Sequence, residues 1–255
     1  MNSSHLMRRL ARAMVLTLIA ALFGHTARSQ VLISLLFGDD LNTGKVEFGL
    51  EGGATFSTIN GLNSAGPKSG FNLGFYFDIK LKHQWSLATG VMVKSPWGAK
   101  GLPTYSLGDA ELDSVFHGGS VERRLNYFNV PIMAKYSFGR LFAMAGPQLS
   151  LGYKSYDVFS RDIEEEEDLT YRLENRSLYR PIEAGLCAAA GVRLYKGYGM
   201  NLLVRYYHGL TEIRKDPAGA MWTNRGWHLQ VGIPIGVGKA RARAATKEQG
   251  ATSAP

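Results

Sequence analysis

The sequence predicts an all-β fold of eight antiparallel strands closed into a barrel that crosses a lipid bilayer, with short turns at one end and long loops at the other. Three observations predict it. Eight segments, each of ten or more residues, alternate apolar side chains with polar or small ones. The connections between them are short and long in strict alternation, and aromatic residues gather near both ends of the segments.

The first segment sets Val46, Phe48, Leu50, Ala54 and Phe56 against Glu47, Glu51, Thr55 and Ser57. The second places Phe71, Leu73, Phe75, Phe77, Ile79 and Leu81 on one face, opposite Asn72, Gly74, Tyr76, Asp78 and Lys80. The third, from Gln84 to about Trp97, opposes Trp85, Leu87, Val91 and Val93 to Ser86, Ala88, Gly90 and Lys94. The fourth opposes Phe128, Val130, Ile132, Ala134, Tyr136 and Phe138 to Tyr127, Asn129, Pro131, Met133 and Lys135. In the fifth, Leu141, Ala143, Ala145, Leu149, Leu151 and Tyr153 oppose Met144, Gln148, Ser150 and Lys154. The sixth sets Ile182, Ala184, Leu186, Ala188, Ala190 and Val192 against Glu183, Cys187 and Arg193, and the seventh sets Leu202, Val204, Tyr206 and His208 against Asn201, Arg205 and Tyr207. The eighth sets Trp227, Leu229, Val231, Ile233 and Ile235 against His228, Gln230 and Pro234.

Alternation alone also describes a soluble sandwich or a lipocalin-like barrel with the apolar face inside. The opposite face decides the direction. An apolar interior would have to take about fifty apolar side chains, whereas eight strands enclose little more than their usual filling. Lipid therefore surrounds the apolar rows. The lumen then receives a mixed-sign charge network of Glu47, Glu51, Asp78, Lys80, Lys94, Lys135, Glu183, Arg193 and Arg205. The segment length agrees, because soluble strands usually run about five or six residues and membrane strands about 9 to 11.

The connections after the second, fourth and sixth strands are tight (His83, Gly139-Arg140, Lys196-Gly197-Tyr198). Those after the first, third, fifth and seventh are long, about Thr58–Pro67, Gly98–Ser120, Ser155–Ser177 and Thr211–Thr223. Tight turns are expected in the periplasm and long loops outside. Trp85, Tyr136, Phe138 and Tyr198 make one expected aromatic girdle, and Trp97, Tyr153, Trp222 and Trp227 the other. Pro131, Pro147, Pro181 and Pro234 fall within strands and are read as inward, with bulges or lumenal water serving the orphaned carbonyls.

Composition supports one large β-domain: 255 residues, 45% hydrophobic, with 30 Gly. The net charge of +8 does not mark a nucleic-acid binder. Arg8, Arg9, Arg12 and Arg28 lie in an N-terminal stretch free of acids, and Lys239, Arg241, Arg243 and Lys247 outweigh Glu248 in the tail, so the part between is nearly neutral. Residues 1–29 read as a signal peptide, with a basic start, an apolar run from Ala13 to Gly24 and Ala27-Arg28-Ser29 before the cut. That run reaches about 18 Å as a helix, short of a span. Residues 30–44 are then a periplasmic lead-in, 45–238 the barrel and 239–255 a basic disordered tail. Cys187 is the lone cysteine, so an internal disulfide is excluded.

The run Leu125-Asn-Tyr-Phe-Asn-Val-Pro131-Ile-Met-Ala-Lys135-Tyr-Ser-Phe138, followed by Ala145-Gly146-Pro147, resembles the central hairpin of the PorT-like outer-membrane β-barrel domain common in Bacteroidota. Gly53-Ala-Thr-Phe56-Ser57 is similar to that family's opening motif, and Gly191-Val-Arg193 with Arg205-Tyr206-Tyr207-His-Gly209-Leu210-Thr211 to its closing half. The resemblance covers about Lys45 to Gly238 and implies an outer-membrane barrel without an assigned activity.

Candidate chemistry is sparse. Asp109, Glu111, Asp113 and His117 would suit a hard cation, but loops this acidic are usually solvated, and no metal or cofactor is expected. The run Asp162, Glu164–Glu167, Asp168 is read as a solvated loop, with divalent bridging to lipopolysaccharide phosphates as the sharper reading. His117 beside Ser114 and Ser120 is the one external histidine that would serve a rim-sited lipid or peptide hydrolase. His228 is expected in the lumen, His208 toward lipid and His83 on a turn. The expected role is therefore interaction or structure in the envelope (anchoring, adhesion or an assembly subunit) rather than catalysis. A narrow or gated conduit is the alternative. The expected partners are outer-membrane lipid and lipopolysaccharide, with envelope proteins through loops or tail.

Overall fold

The computed structural model describes residues 45–62, 66–161, 169–194, 199–217 and 219–235. The proposed signal peptide, the lead-in, the tail from 239, the acidic run 162–168 and the girdle residue Tyr198 lie outside the described residues.

Nine strands form: β1 Val46–Asn60, β2 Gly66–Lys80, β3 Trp85–Pro103, β4 Ser120–Phe138, β5 Leu141–Arg161, β6 Leu169–Glu174, β7 Ile182–Arg193, β8 Asn201–Gly209 and β9 Thr223–Pro234. Eight of them make an antiparallel ring. Consecutive hairpins join β1 through β5, β5 continues to β7, β7 to β8 and β8 to β9, and β9 returns to β1 from Gly49↔Pro234 to Asn60↔Thr223. The ninth, β6, pairs with the outer end of β5 from Tyr156↔Glu174 to Arg161↔Leu169 and stands above the ring as a hairpin. The sequence reading placed a loop there. The strands also run further than expected, with β3 and β5 climbing into the regions read as loops. A short helix, α1 (Ala110–Phe116), fills part of the loop after β3.

The apolar rows face outward. Ile182, Leu229, Trp227 and Phe71 are 58%, 57%, 55% and 53% exposed. In water each would forfeit about 1.5–3 kcal/mol of burial. Repeated around the ring, that loss exceeds the roughly 5–15 kcal/mol that holds a typical domain folded, so these rows are solvated by acyl chains. No helix among the described residues is long and apolar enough to cross a membrane, and the strands do the crossing.

Glycine lets the wall close. A Cβ on Gly53 would stand 2.0 Å from the Leu229 carbonyl oxygen, where β1 meets β9. At the short-turn end, His83 adopts φ 53° and Gly139 φ 67°, the left-handed geometry these tight turns need.

Three bulges break the alternation, two on β3 and one on β5. The β3–β4 ladder steps from Met92↔Asn129 to Ser95↔Tyr127, three residues against two. Before it the even residues of β3 point inward, after it the odd ones do as far as Ala99, and a second extra residue between Ala99↔Arg123 and Leu102↔Val121 brings Leu102 inward. This corrects two expectations at once: Lys94 faces outward, exposed, and Trp97 is buried inside at 1% exposure. On β5 a further extra residue sits between Gly152↔Tyr127 and Lys154↔Asn126, and it turns Lys154 outward as well.

The prolines also differ from the reading. Pro131 alone of the four is buried and inward; Pro147 is exposed, Pro181 precedes β7, and Pro234 ends β9. Around Pro131 the β3–β4 ladder skips from Thr89↔Ile132 to Met92↔Asn129, and the Thr89 hydroxyl donates to the Pro131 carbonyl at 2.8 Å.

Candidate functional site

The lumen is filled in tiers. Nearest the short turns, Glu47 accepts from Tyr76 and Arg193, each at 3.0 Å, and Arg193 Nε donates to Asn201 at 3.1 Å. Above them Lys135 pairs with Asp78 and lies 4.3 Å from the Phe142 ring. Arg205 donates to Glu51 at 2.8 Å with both side chains buried. Between these two pairs is a cavity of about 30 Å³, the room of one water. Asp78 Oδ1 and Arg205 Nε, an acceptor and a donor without protein partners, belong to two of its lining residues.

The next tier is a hydrogen-bonded web. Asn72 donates to Thr55 at 2.7 Å, Gln230 donates to Asn72 at 3.0 Å, and His228 Nδ1 lies 3.0 Å from the Thr55 hydroxyl. Glu183 accepts from Tyr207 at 3.0 Å and from Asn224 at 2.7 Å. Trp97 seals this tier, its ring 5.0 Å from Tyr207 and 5.1 Å from His228.

Toward the long loops the polarity inverts. Val121, Leu125, Leu102, Phe159 and Ile213 point inward and form a dry core, with Phe116 of α1 packed against Phe159. Arg123 holds Asp157 through Nε at 2.9 Å, and Tyr105 donates to the same carboxylate at 2.9 Å. Burial and that carboxylate push the Tyr105 phenol up. At the other end the lumen opens into a vestibule of about 210 Å³ lined by Glu47, Lys80, His83, Ser137, Arg140 and Arg193. Among the described residues the interior is thus a blind cup, open at the short turns and stoppered at the loops.

A family model for the outer membrane protein beta-barrel domain matches residues 30–215. The chain belongs to that family. The outer-membrane barrel therefore sits in the bacterial outer membrane. Among solved structures, it is similar to Neisserial surface protein A at 12% identity, over 74% of this chain and 96% of that one, with a TM-score of 0.39. The attachment invasion locus protein Ail of Yersinia pestis matches at 11% identity, 75% and 99% coverage and a TM-score of 0.37. OprG of Pseudomonas aeruginosa matches at 12% identity, 76% and 97% coverage and a TM-score of 0.35. No curated protein matches.

In this outer-membrane barrel, Glu47, Glu51, Asp78, Lys135, Glu183, Arg193 and Arg205 meet in the lumen. Lys80 is exposed at the mouth of the vestibule, and Lys94 is outside. Of the expected girdle residues, Trp85, Tyr136, Phe138, Tyr153 and Trp227 are exposed on the outer face, Trp85 packing edge-on to Tyr136 at 5.0 Å. Trp222 is half-buried in the loops beneath Arg214, 4.3 Å from its ring, so it faces protein rather than lipid. The acids of the third loop serve local structure. Asp109 caps α1, accepting from Glu111 N at 2.9 Å and Leu112 N at 3.2 Å. Asp113 accepts from Ser106 and Leu107 N, bonds that hold its carboxyl below the usual range. Among the described residues no three His, Cys, Asp or Glu side chains are placed to hold a metal.

The Arg123–Asp157–Tyr105 cluster and most of the dry core were missed because they lie beyond the expected strand ends. The signal was present in Ser120-Val121-Glu122-Arg123-Arg124-Leu125. Its apolar parity is the reverse of what a lipid-facing strand shows, as in a strand leaving the membrane.

Proposed function

We propose that this outer-membrane barrel works by binding, as an anchoring, adhesion or assembly element of the envelope, through its structured loop end. The observation that carries the reading is the stopper: Trp97, Tyr207, Phe159, Tyr179 and Ile213 are buried across the lumen beneath the loops. α1 and the β5–β6 hairpin stand above it as a formed platform. Within the family, the runs Leu125–Phe138 and Ala145–Pro147 support a PorT-like affiliation. The proposed role is non-catalytic at the rim. There His117 is exposed as the C-cap of α1, and the Ser120 hydroxyl lies 3.2 Å from that of Ser160. Lipid, lipopolysaccharide and envelope proteins are the proposed partners.

Single-channel recording on the refolded full-length protein tests this. The expected trace is flat, and stable conductance would favour the second reading, a gated conduit, whose support is the vestibule of about 210 Å³. Trp97→Ala, which thins the stopper, is the variant to record beside it.

A further inference from the structure

Strict alternation would send Lys94 and Lys154 into the lumen, and the bulges at Met92/Ser95 of β3 and Gly152/Lys154 of β5 send them out instead. Both irregularities lie at one height, opposite residues Asn126–Phe128 of β4. A bulge costs ladder hydrogen bonds and re-aims a side chain, so two at one level on strands flanking β4 mark a place where cations are wanted outside. Arg124 of β4 and Arg172 of β6 share that outer face. The four cations interleave with rings. Lys94 Nζ is 5.7 Å from the Phe71 centroid, and Arg172 lies 3.6 Å from Tyr156, with Arg124 and Lys154 each 5.9 Å from it. Just below, Phe128 stacks on Tyr153 at 4.6 Å.

Two carboxylates answer the four cations. Glu122 holds Arg124 at 2.7 Å, while Glu174, 69% exposed, stands 3.4 Å from Arg172 and 3.7 Å from Lys154. The open, long contacts of Glu174 hold little, so Lys94, Lys154 and Arg172 stay available, and four cations against two carboxylates leave the arc net positive. Its height is that of the outer aromatic girdle, where acyl chains give way to headgroups. A lysine turned toward lipid is stable there when its ammonium reaches an anion at the headgroup level. Lipopolysaccharide fills the outer leaflet of this membrane and carries phosphate at that depth.

We propose that Lys94, Arg124, Lys154 and Arg172 form a docking site for the phosphate of an outer-leaflet lipopolysaccharide, with Phe71, Phe128 and Tyr153 against its acyl chains. This rests on the lipid-facing outer wall and the external loops of the preceding reading. Arginine meets phosphate with a bidentate fork, and the lysines add point charges.

The test titrates bisphosphorylated lipid A into the full-length protein refolded in detergent, with a heat-modifiable gel shift reporting folding of each variant. Lys94→Gln, Lys154→Gln and Arg172→Gln are each expected to weaken binding about fivefold, and the triple variant roughly a hundredfold. Lys94→Arg and the short-turn control Lys82→Gln should bind as the parent does. Lipid A stripped of its phosphates should bind the parent no better than bisphosphorylated lipid A binds the triple variant. Parent-like affinity in the folded triple variant, equal binding of the stripped lipid, or displacement by millimolar inorganic phosphate would each overturn the site. A parent protein that shows no gel shift and no insertion into vesicles would instead overturn the wall orientation beneath it.

Discussion

At the scale of single residues, the lumen's charges are held by pairing, and removing one partner is the severe change. Glu51 and Arg205 are both buried, so Arg205→Leu strands a carboxylate in a site with little water. The expected cost is about 3–5 kcal/mol, read as a lower urea midpoint for loss of the heat-modifiable form. Adding Glu51→Gln should recover part of it, because the neutral amide no longer needs the guanidinium. Glu212, in the loop between β8 and β9, offers a pH test outside the membrane. Burial opposes its charge, but Arg214 donates to it through N at 3.0 Å, Nε at 3.1 Å and Nη2 at 3.0 Å, and Trp222 N at 3.0 Å, and these bonds hold its carboxyl down to about 2. A depressed acid stabilises above its unfolded value and loses that contribution as pH falls through its folded value. Loop order around Trp222 should therefore persist at pH 5 and fade between about 4.5 and 2. Hydrogen exchange across 211–223 would follow it, and Glu212→Gln should loosen the same segment at neutral pH by about 1–3 kcal/mol.

At the scale of elements, the strands were legible because their period-2 rows are long and uninterrupted, as in β2, where Phe71 through Ile79 needs no partner to be read. The bulges were not legible. Whether β3 carries an extra residue is decided against β4, through Met92↔Asn129 and Ser95↔Tyr127, and a single strand's sequence does not contain that count. The same extra residue misplaced Lys94 and Trp97 together. β6 escaped for another reason: its Leu169–Glu174 pairs with β5 across the acidic run, whose composition reads as solvent-facing. The four tryptophans make the bulge measurable. In single-tryptophan variants reconstituted with brominated acyl chains, Trp85 and Trp227 should be quenched strongly, since both stand in the outer wall. Trp97 should keep its emission and a blue-shifted maximum. Quenching of Trp97 equal to that of Trp227 would place it in lipid and restore the unbroken alternation.

At the scale of the whole molecule, one wall passes through two solvents, and its polarity follows them. In the bilayer it is apolar outside and polar inside, with Leu229 outward and Gln230 inward; from the girdle upward Glu122 and Arg124 turn outward while Val121 and Leu125 close over the lumen. The inversion converts the barrel into a cup whose base is a small soluble-type core. Among the described residues that cup has one mouth, the vestibule among Glu47, Lys80, Arg140 and Arg193. Ser137 lines that vestibule, whereas the native Cys187 is buried and donates to Gln148 at 3.2 Å. A Ser137→Cys variant should therefore react with a charged, membrane-impermeant maleimide applied from the short-turn side, while Cys187 stays silent until the barrel unfolds. Applied from the loop side of sealed vesicles, the same reagent should leave Ser137→Cys unmodified, because Trp97, Tyr207 and Phe159 stand between. Labelling at equal rates from both sides would mean that the core yields to a molecule of that size. The barrel would then be a passage, and its loops would be a gate rather than a platform.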